Sequence, residues 1–305
     1  MRRALKPARV RVRVPATTSN LGAGFDVLGM ALTLYNELEV SVRPGVPGCV
    51  VVVEGEGKGS LPTDETNEVA RVLGLSSSRQ VEIRQNNGIP VARGLGSSAA
   101  ARLGAVLALR ALEPGRKDDD WVLSRALSLE GHPDNVVPAL LGGARLGLQD
   151  GGRVVSVPLR APKDLAAVVC IPAFELSTEK ARRILPRRVP RADAVFTSAR
   201  VGLLVYAFER RQYQLLKTAM QDVLHQPYRR RLVPGMSEAI DAAYAAGAFG
   251  AALSGAGPSV FALAPKRFGA SVGRAMEKAF HGRRVASRAL TLGIDTRGAT
   301  VTRLS

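Results

Sequence analysis

Residues 10–14 read Val-Arg-Val-Arg-Val, and this strict two-residue alternation predicts a strand with one face buried and one in water. Residues 32–42 and 50–54 continue the pattern with β-branched side chains and predict two more strands. Residues 55–66, rich in Gly, Pro and Asp, read as a loop. Thr66 is placed to cap a short helix running through Leu73. Residues 81–85 form a further strand that runs into Asn86-Asn87-Gly88, a turn signal. The period then changes. Residues 97–112 open with Ser-Ser, are rich in Ala and Leu, and repeat apolar side chains at helical spacing through Leu103, Val106, Leu107 and Leu109. Residues 118–129 predict a second helix, with acidic residues at the end where the helix dipole favours them.

Gly142-Gly143 leads into strands at 144–148 and 153–158. A second pattern starts with an apolar strand at 165–171. Helices are expected near 178–184, 192–209, 213–223 and 237–246, then a strand at 260–263, a helix at 268–280 and a last strand at 300–304. The mixture is α/β (α+β) in two halves divided near 155–165, taken as domains 1–158 and 159–305. No internal repeat or low-complexity tract interrupts it.

With 46% apolar and 23% charged residues, the 305-residue chain has the balance of a soluble globular protein. Its longest apolar runs are too short to cross a bilayer, so no membrane partner is expected. Met1-Arg2-Arg3 resembles the start of a signal peptide, but Arg and Val alternate after it where an apolar stretch would be needed. The expected location is cytoplasmic. Cys49 and Cys170, with His132, His225 and His281, are too scattered for a disulfide framework or a zinc site. The net charge of +17 raises the question of nucleic acid. The charge is spread along the chain, with its densest cluster only at Arg229-Arg230-Arg231. It suits attraction to small anionic ligands, and no nucleic-acid partner is expected.

The most informative segment is Pro90-Val91-Ala92-Arg93-Gly94-Leu95-Gly96-Ser97-Ser98-Ala99-Ala100, between a predicted strand and the long helix. Gly94 and Gly96 allow positive φ and a close backbone approach. At Ser97 and Ser98 the helix begins, so amide hydrogens are unpaired and the dipole adds partial positive charge. In physical terms this is a phosphate-binding site. It is not a Walker A loop, because no Lys follows the second glycine, and the protein-kinase signatures are absent.

This loop resembles the ATP loop of the GHMP kinases. Two further segments resemble that family in the same order: Val14-Pro-Ala-Thr-Thr-Ser-Asn-Leu-Gly-Ala-Gly-Phe-Asp-Val-Leu-Gly29 and Leu253-Ser-Gly-Ala-Gly-Pro-Ser-Val260. The resemblance spans nearly the whole chain. Within the family, the first of these segments, the stretch from Glu130 to Gly143, and the segments at 177–186 and 227–235 are most similar to the homoserine-phosphorylating branch. The resemblance implies a two-domain GHMP kinase fold, with an N-terminal half like the second domain of ribosomal protein S5 and a ferredoxin-like C-terminal half. ATP and substrate would meet between them. The implied reaction is transfer of phosphate from ATP to L-homoserine, a step toward threonine.

The residue roles follow as expectations of that resemblance. Residues 90–100 and Asn67 would hold ATP, with Asn67 near the adenine. Asp26, helped by Asn20, would pair the substrate ammonium. Arg182 and Arg229 would fork the carboxylate, and His132 would orient the substrate. Glu130 and the Ser98 hydroxyl would hold Mg²⁺. Asn135 would lie near the reacting hydroxyl, with Asp134 either beside it or structural. Gly255 and Gly257 would support a turn against the ATP loop. The connection between Asn67 and Val81 is shorter than the family usually carries. A sibling kinase acting on mevalonate and an S5-like RNA-binding module stand as rival readings, and a homodimer stays open.

Overall fold

The computed structural model describes residues 8–43, 48–74, 80–113, 115, 117–160 and 162–304. Met1-Arg2-Arg3 and residues 75–79 of the short connection lie outside the described residues. Strands β1 (Ala8–Ser19) and β2 (Leu28–Arg43) pair antiparallel over almost their full lengths. The alternation in β1 does what its spacing requires. Val10, Val12 and Val14 are buried, while Arg9, Arg11 and Arg13 face water and pair with Glu39 and Glu37 on β2. Part of the basic excess is therefore neutralised across one strand pair.

Next come β3 (Gly48–Gly55), helix α1 (Glu68–Leu73) and β4 (Gln80–Asn87). β3 and β4 run parallel with α1 in the crossover between them. Asn67 caps α1 by accepting from the Val69 amide at 2.9 Å. The sequence pointed to Thr66, but both the amide and the hydroxyl of Thr66 donate to Asp64, one residue too early to cap. Three helices follow: α2 (Ser97–Leu112), α3 (Asp119–Glu130) and α4 (Pro133–Leu141). The hairpin β5 (Ala144–Asp150) and β6 (Arg153–Leu159) then pairs with β2 at Leu28–Met30.

The second half opens on β7 (Leu165–Pro172), buried at all eight positions. It continues through α5 (Thr178–Arg183), α6 (Arg191–Arg210), α7 (Leu216–Ala219), α8 (Gln226–Arg229) and α9 (Met236–Ala245). The closing elements are β8 (Gly250–Leu253), β9 (Val260–Pro265), α10 (Gly269–Gly282), β10 (Ser287–Leu292) and β11 (Thr300–Leu304). The four-stranded sheet has the order β10-β7-β9-β8, all pairs antiparallel. That β-α-β-β-α-β path is the ferredoxin-like arrangement. β11 leaves this sheet and pairs with β1, so the chain's last strand completes the seven-stranded sheet of the first half.

Four elements depart from the sequence expectation. The helix expected at 213–223 is a short turn and α7, ended where Asp222 accepts from the amides of Leu224, His225 and Gln226 and so starts α8 instead. β8 and β10 were not foreseen: β8 has only four small or apolar residues, and β10 is half-exposed. α4 was hidden by Pro138, which has no amide hydrogen to give the Asp134 carbonyl four residues earlier. That carbonyl instead faces β2 and sits 1.7 Å from where a Cβ on Gly29 would stand. Only glycine at position 29 admits this approach, which seats α4 and its side chains beside the cleft.

Candidate active site

A cleft of about 400 Å³ runs between the halves, within the range of small-ligand pockets. One wall is the start of α2. Gly94 and Gly96 have φ of 73° and 70°, as their place in the loop requires. α3 is capped by the side chain of Asp118, but Gly96 offers α2 no side-chain cap. The first intrahelical bond made is from Ala100 to the Gly96 carbonyl. The amides of Ser97, Ser98 and Ala99 are thus left for a ligand, at the positive end of a 16-residue helix.

This wall is held by interlocked loops. Ser254 Oγ donates to the Gly94 carbonyl at 2.7 Å and lies 2.9 Å from Thr18 Oγ1. The Gly255 amide donates to the Ser19 carbonyl. Asn20 Nδ2 donates to the Gly255 carbonyl at 3.0 Å, and Asn20 Oδ1 accepts from the Asp26 amide at 3.0 Å. The 254–257 turn, the ATP-like loop and the end of β1 therefore form one unit.

Of residues 90–100, Val91, Ala92, Gly94, Gly96, Ser97, Ser98 and Ala99 line the cleft, while Pro90, Leu95 and Ala100 are buried behind it. Arg93, expected to help hold ATP, has its hydrogen bonds elsewhere. Its guanidinium donates to the carbonyls of Val91, Pro172 and Ala173 at 3.1, 3.0 and 2.9 Å and pairs with Glu175. These bonds brace the loop against β7, and Arg93 is not among the residues that line the cleft. At the far end of the cleft, Asn67 is 2% exposed and its polar atoms are shared among Val69, Pro62 and Gln85. It lines the pocket with Gln85, Leu61 and Val91.

The other wall carries the opposite charges. Arg182, at the end of α5, forks Asp26 with bonds of 2.6 and 3.1 Å. Burial alone would lower the Arg182 pKa, but the bonds and charge of Asp26 outweigh it and raise it. Arg229 is 1% exposed. Its Nε donates to the Ala181 carbonyl at 3.1 Å, and its Nη1 to the Gly255 carbonyl at 3.0 Å and to His225 Nδ1 at 3.2 Å. Nη2 has no protein partner among the described residues, and Arg229 lines the cleft. Burial, with the charge of Arg182, pushes the Arg229 pKa down to about 10, so it stays a cation at neutral pH.

His132 Nδ1 bonds Asp134, which is 2% exposed. Burial opposes the charged imidazole, yet the bond and charge of Asp134 prevail and raise its pKa. Ligand atoms of Asp26, His132 and Asp134 lie within 4.8 Å of one another. Two of these three groups are carboxylates, so the cluster also suits a ligand ammonium. Asn135 stands next to them on α4. Its Oδ1 accepts from Thr17 at 2.7 Å, and its Nδ2 makes longer bonds of 3.2 and 3.3 Å to Ser19 and Asp134.

Glu130, the last residue of α3, and Ser98 both line the cleft. Burial raises the Glu130 pKa, chiefly offset by the charge of Arg102. Several site residues escaped the sequence reading. Arg102, one helical turn beyond Ser98, bonds Glu130 and Glu68; its helical spacing was the available signal. Thr17 and His225 gave none, because their partners lie 118 and 203 residues away.

Two family models match the chain: the GHMP kinases N terminal domain over residues 65–143, and GHMP kinases C terminal over residues 204–282. The homoserine kinase of Persephonella marina is 43% identical over 299 residues, covering 96% of this chain and 98% of its own. That of Desulfitobacterium hafniense is 40% identical over 299 residues, covering 96% and 99%. Among solved structures, the homoserine kinase from Cytophaga hutchinsonii superposes with a TM-score of 0.85 at 31% identity, covering 98% of both chains. L. major mevalonate kinase, at 18% identity and a TM-score of 0.73 over 97% of this chain and all of its own, shares the fold.

Proposed function

The chain belongs to the GHMP kinase family, and from that membership we propose that its cleft transfers the terminal phosphoryl group of ATP to the side-chain hydroxyl of L-homoserine. The products are ADP and O-phospho-L-homoserine, on a route to threonine. One observation carries the substrate: the cleft that the free start of α2 lines is also lined by the opposite charges of Asp26, Asp134, Arg182 and Arg229.

The amides of Ser97–Ala99 donate to the phosphates of ATP, and the end of the cleft at Asn67 takes the base. The amino-acid substrate inserts between Asp26 and Arg182, which satisfy each other when no ligand is bound. Its ammonium goes to Asp26 with Asp134 nearby. Its carboxylate goes to Arg182 and the open Nη2 of Arg229, a geometry guanidinium forks favour. His132, held by Asp134, fixes the rest of the substrate.

Glu130 and Ser98 supply oxygen donors on the phosphate side of the cleft, a set that fits Mg²⁺ with phosphate and water completing its shell. When bound, the ion neutralises charge on the phosphates. The substrate oxygen forms a bond to the terminal phosphorus as the bond to the bridging oxygen breaks. The hydroxyl proton leaves late, because the transition state is loose. Catalysis then rests on positioning and charge neutralisation, with Asn135 beside the hydroxyl. The enzyme is expected in the cytosol, where a biosynthetic kinase meets ATP and a free amino acid.

Phosphorus NMR of the product tests the reading: coupling to the side-chain methylene is expected, and phosphate on nitrogen or carboxylate would refute it. If Asn135→Ala keeps full kcat while Glu130→Ala abolishes turnover, Asn135 has no part in the reacting group.

A further inference from the structure

Glu130 sits in an unfavourable place for a carboxylate. It ends α3, where the dipole is negative, and α3 has no basic residue of its own in the last turn. Its side chain is only 10% exposed, and burial raises its pKa. The compensation comes from a different helix. Arg102 lies four residues after Ser98 on α2, so both point from one face of that helix. Its Nη1 bonds Glu130 Oε2 at 2.5 Å, and its Nε bonds Glu68 Oε1 at 2.6 Å. Glu68 Oε2 in turn accepts from the Ser98 hydroxyl at 3.3 Å. The two groups assigned to Mg²⁺ above, Ser98 and Glu130, are thereby joined through Arg102 and Glu68 into one chain of charged bonds. Glu68 also adjoins Asn67 at the base end of the cleft.

From this arrangement we infer that Arg102 is the positioning residue of the metal-binding carboxylate: it holds Glu130 by one oxygen and leaves the other facing the cleft, while Glu68 anchors the guanidinium. The inference rests on the assignment of Glu130 to Mg²⁺. Only Oε2 of Glu130 has a protein partner among the described residues, so Arg102 and a metal ion do not need the same oxygen. Arg102 is itself absent from the lining of the cleft, whereas Glu68, Ser98 and Glu130 are part of it. It acts through Glu130 and touches no ligand.

The test measures binding instead of turnover. A fluorescent ATP analogue is titrated with Mg²⁺ on the full-length protein without an acceptor. In Arg102→Met the Mg²⁺ midpoint should rise about 10–100-fold, the usual cost of losing the partner of a metal ligand. Affinity for the metal-free nucleotide should change less than about threefold, and Arg102→Lys should recover part of the loss. An unchanged midpoint, or a lower one showing that Arg102 competes with the ion, overturns the proposal. Should Arg102→Met not fold, Glu68→Gln decides. Its side chain is 42% exposed, and its midpoint should rise by a smaller factor; no rise overturns the proposal. Glu130→Gln separates the two ideas: if it raises the midpoint while Arg102→Met does not, the metal assignment stands and the role of Arg102 fails; if it leaves the midpoint where it was, the metal assignment fails and the role of Arg102 falls with it.

Discussion

Adding one methyl group at Gly94 tests the interlocked loops at their tightest point. A Cβ there would lie 2.2 Å from the Ser254 carbonyl oxygen and 2.8 Å from that of Gly257, both backbone atoms with no rotamer to escape into. The residue also has φ of 73°, which costs an L-residue roughly 1–2 kcal/mol. Real Cβ contacts shorter than 3.0 Å essentially do not occur, so the loop and the turn must part by about 1 Å. A displacement of about 1 Å in a positioning element can cost about 100-fold in rate. Gly94→Ala should therefore fold, with lower thermal stability, and lose about 100-fold in kcat/KM for ATP. The KM for homoserine should move far less. Steady-state kinetics with each substrate varied in turn measure this. A folded Gly94→Ala enzyme with unchanged kcat/KM for ATP would refute both the close contact and its role in setting the phosphate cradle.

Other substitutions separate the remaining assignments. Asp26→Asn removes the charge facing the substrate ammonium and should raise the KM for homoserine about 10–100-fold, the size of a lost charged hydrogen bond, leaving the KM for ATP alone. Arg93→Met should lower the thermal midpoint while the KM for ATP stays within about threefold, since its bonds go to carbonyls of the loop and β7. Burial lowers the His225 pKa, and its Nδ1 already accepts from Arg229, so the folded protein keeps it neutral. The unfolded chain protonates it below about pH 6.5. Its contribution is thus present above that pH and is lost as pH falls toward the folded value. His225→Gln should flatten the acid limb of urea-denaturation stability by up to about 1.4 kcal/mol per pH unit.

Local pattern made much of the scaffold readable. The Val-Arg alternation of β1, the Ala/Leu spacing of α2 and the glycines at 94 and 96 each need only neighbours in sequence to be understood. Two kinds of feature stayed hidden. α4 contains Pro138, and only the packed structure reveals that the carbonyl it releases is accommodated by Gly29 of β2. The fine structure of the site depends on partners distant in sequence: Arg182 with Asp26, Arg102 with Glu68 and Glu130, Thr17 with Asn135. Arg93 shows the converse. Its place in a phosphate-binding loop suggested a ligand contact, yet its hydrogen bonds go to the carbonyls of Val91 in its own loop and of Pro172 and Ala173 at the end of β7.

The most direct test of the account is ADP release by the purified protein with ATP and Mg²⁺ over L-homoserine, L-serine, L-threonine and mevalonate. Homoserine should give the highest kcat/KM, and mevalonate, which has no ammonium for Asp26, should give turnover near background. Turnover with mevalonate and none with homoserine would contradict the assignment of Asp26, Arg182 and Arg229 to an amino-acid substrate.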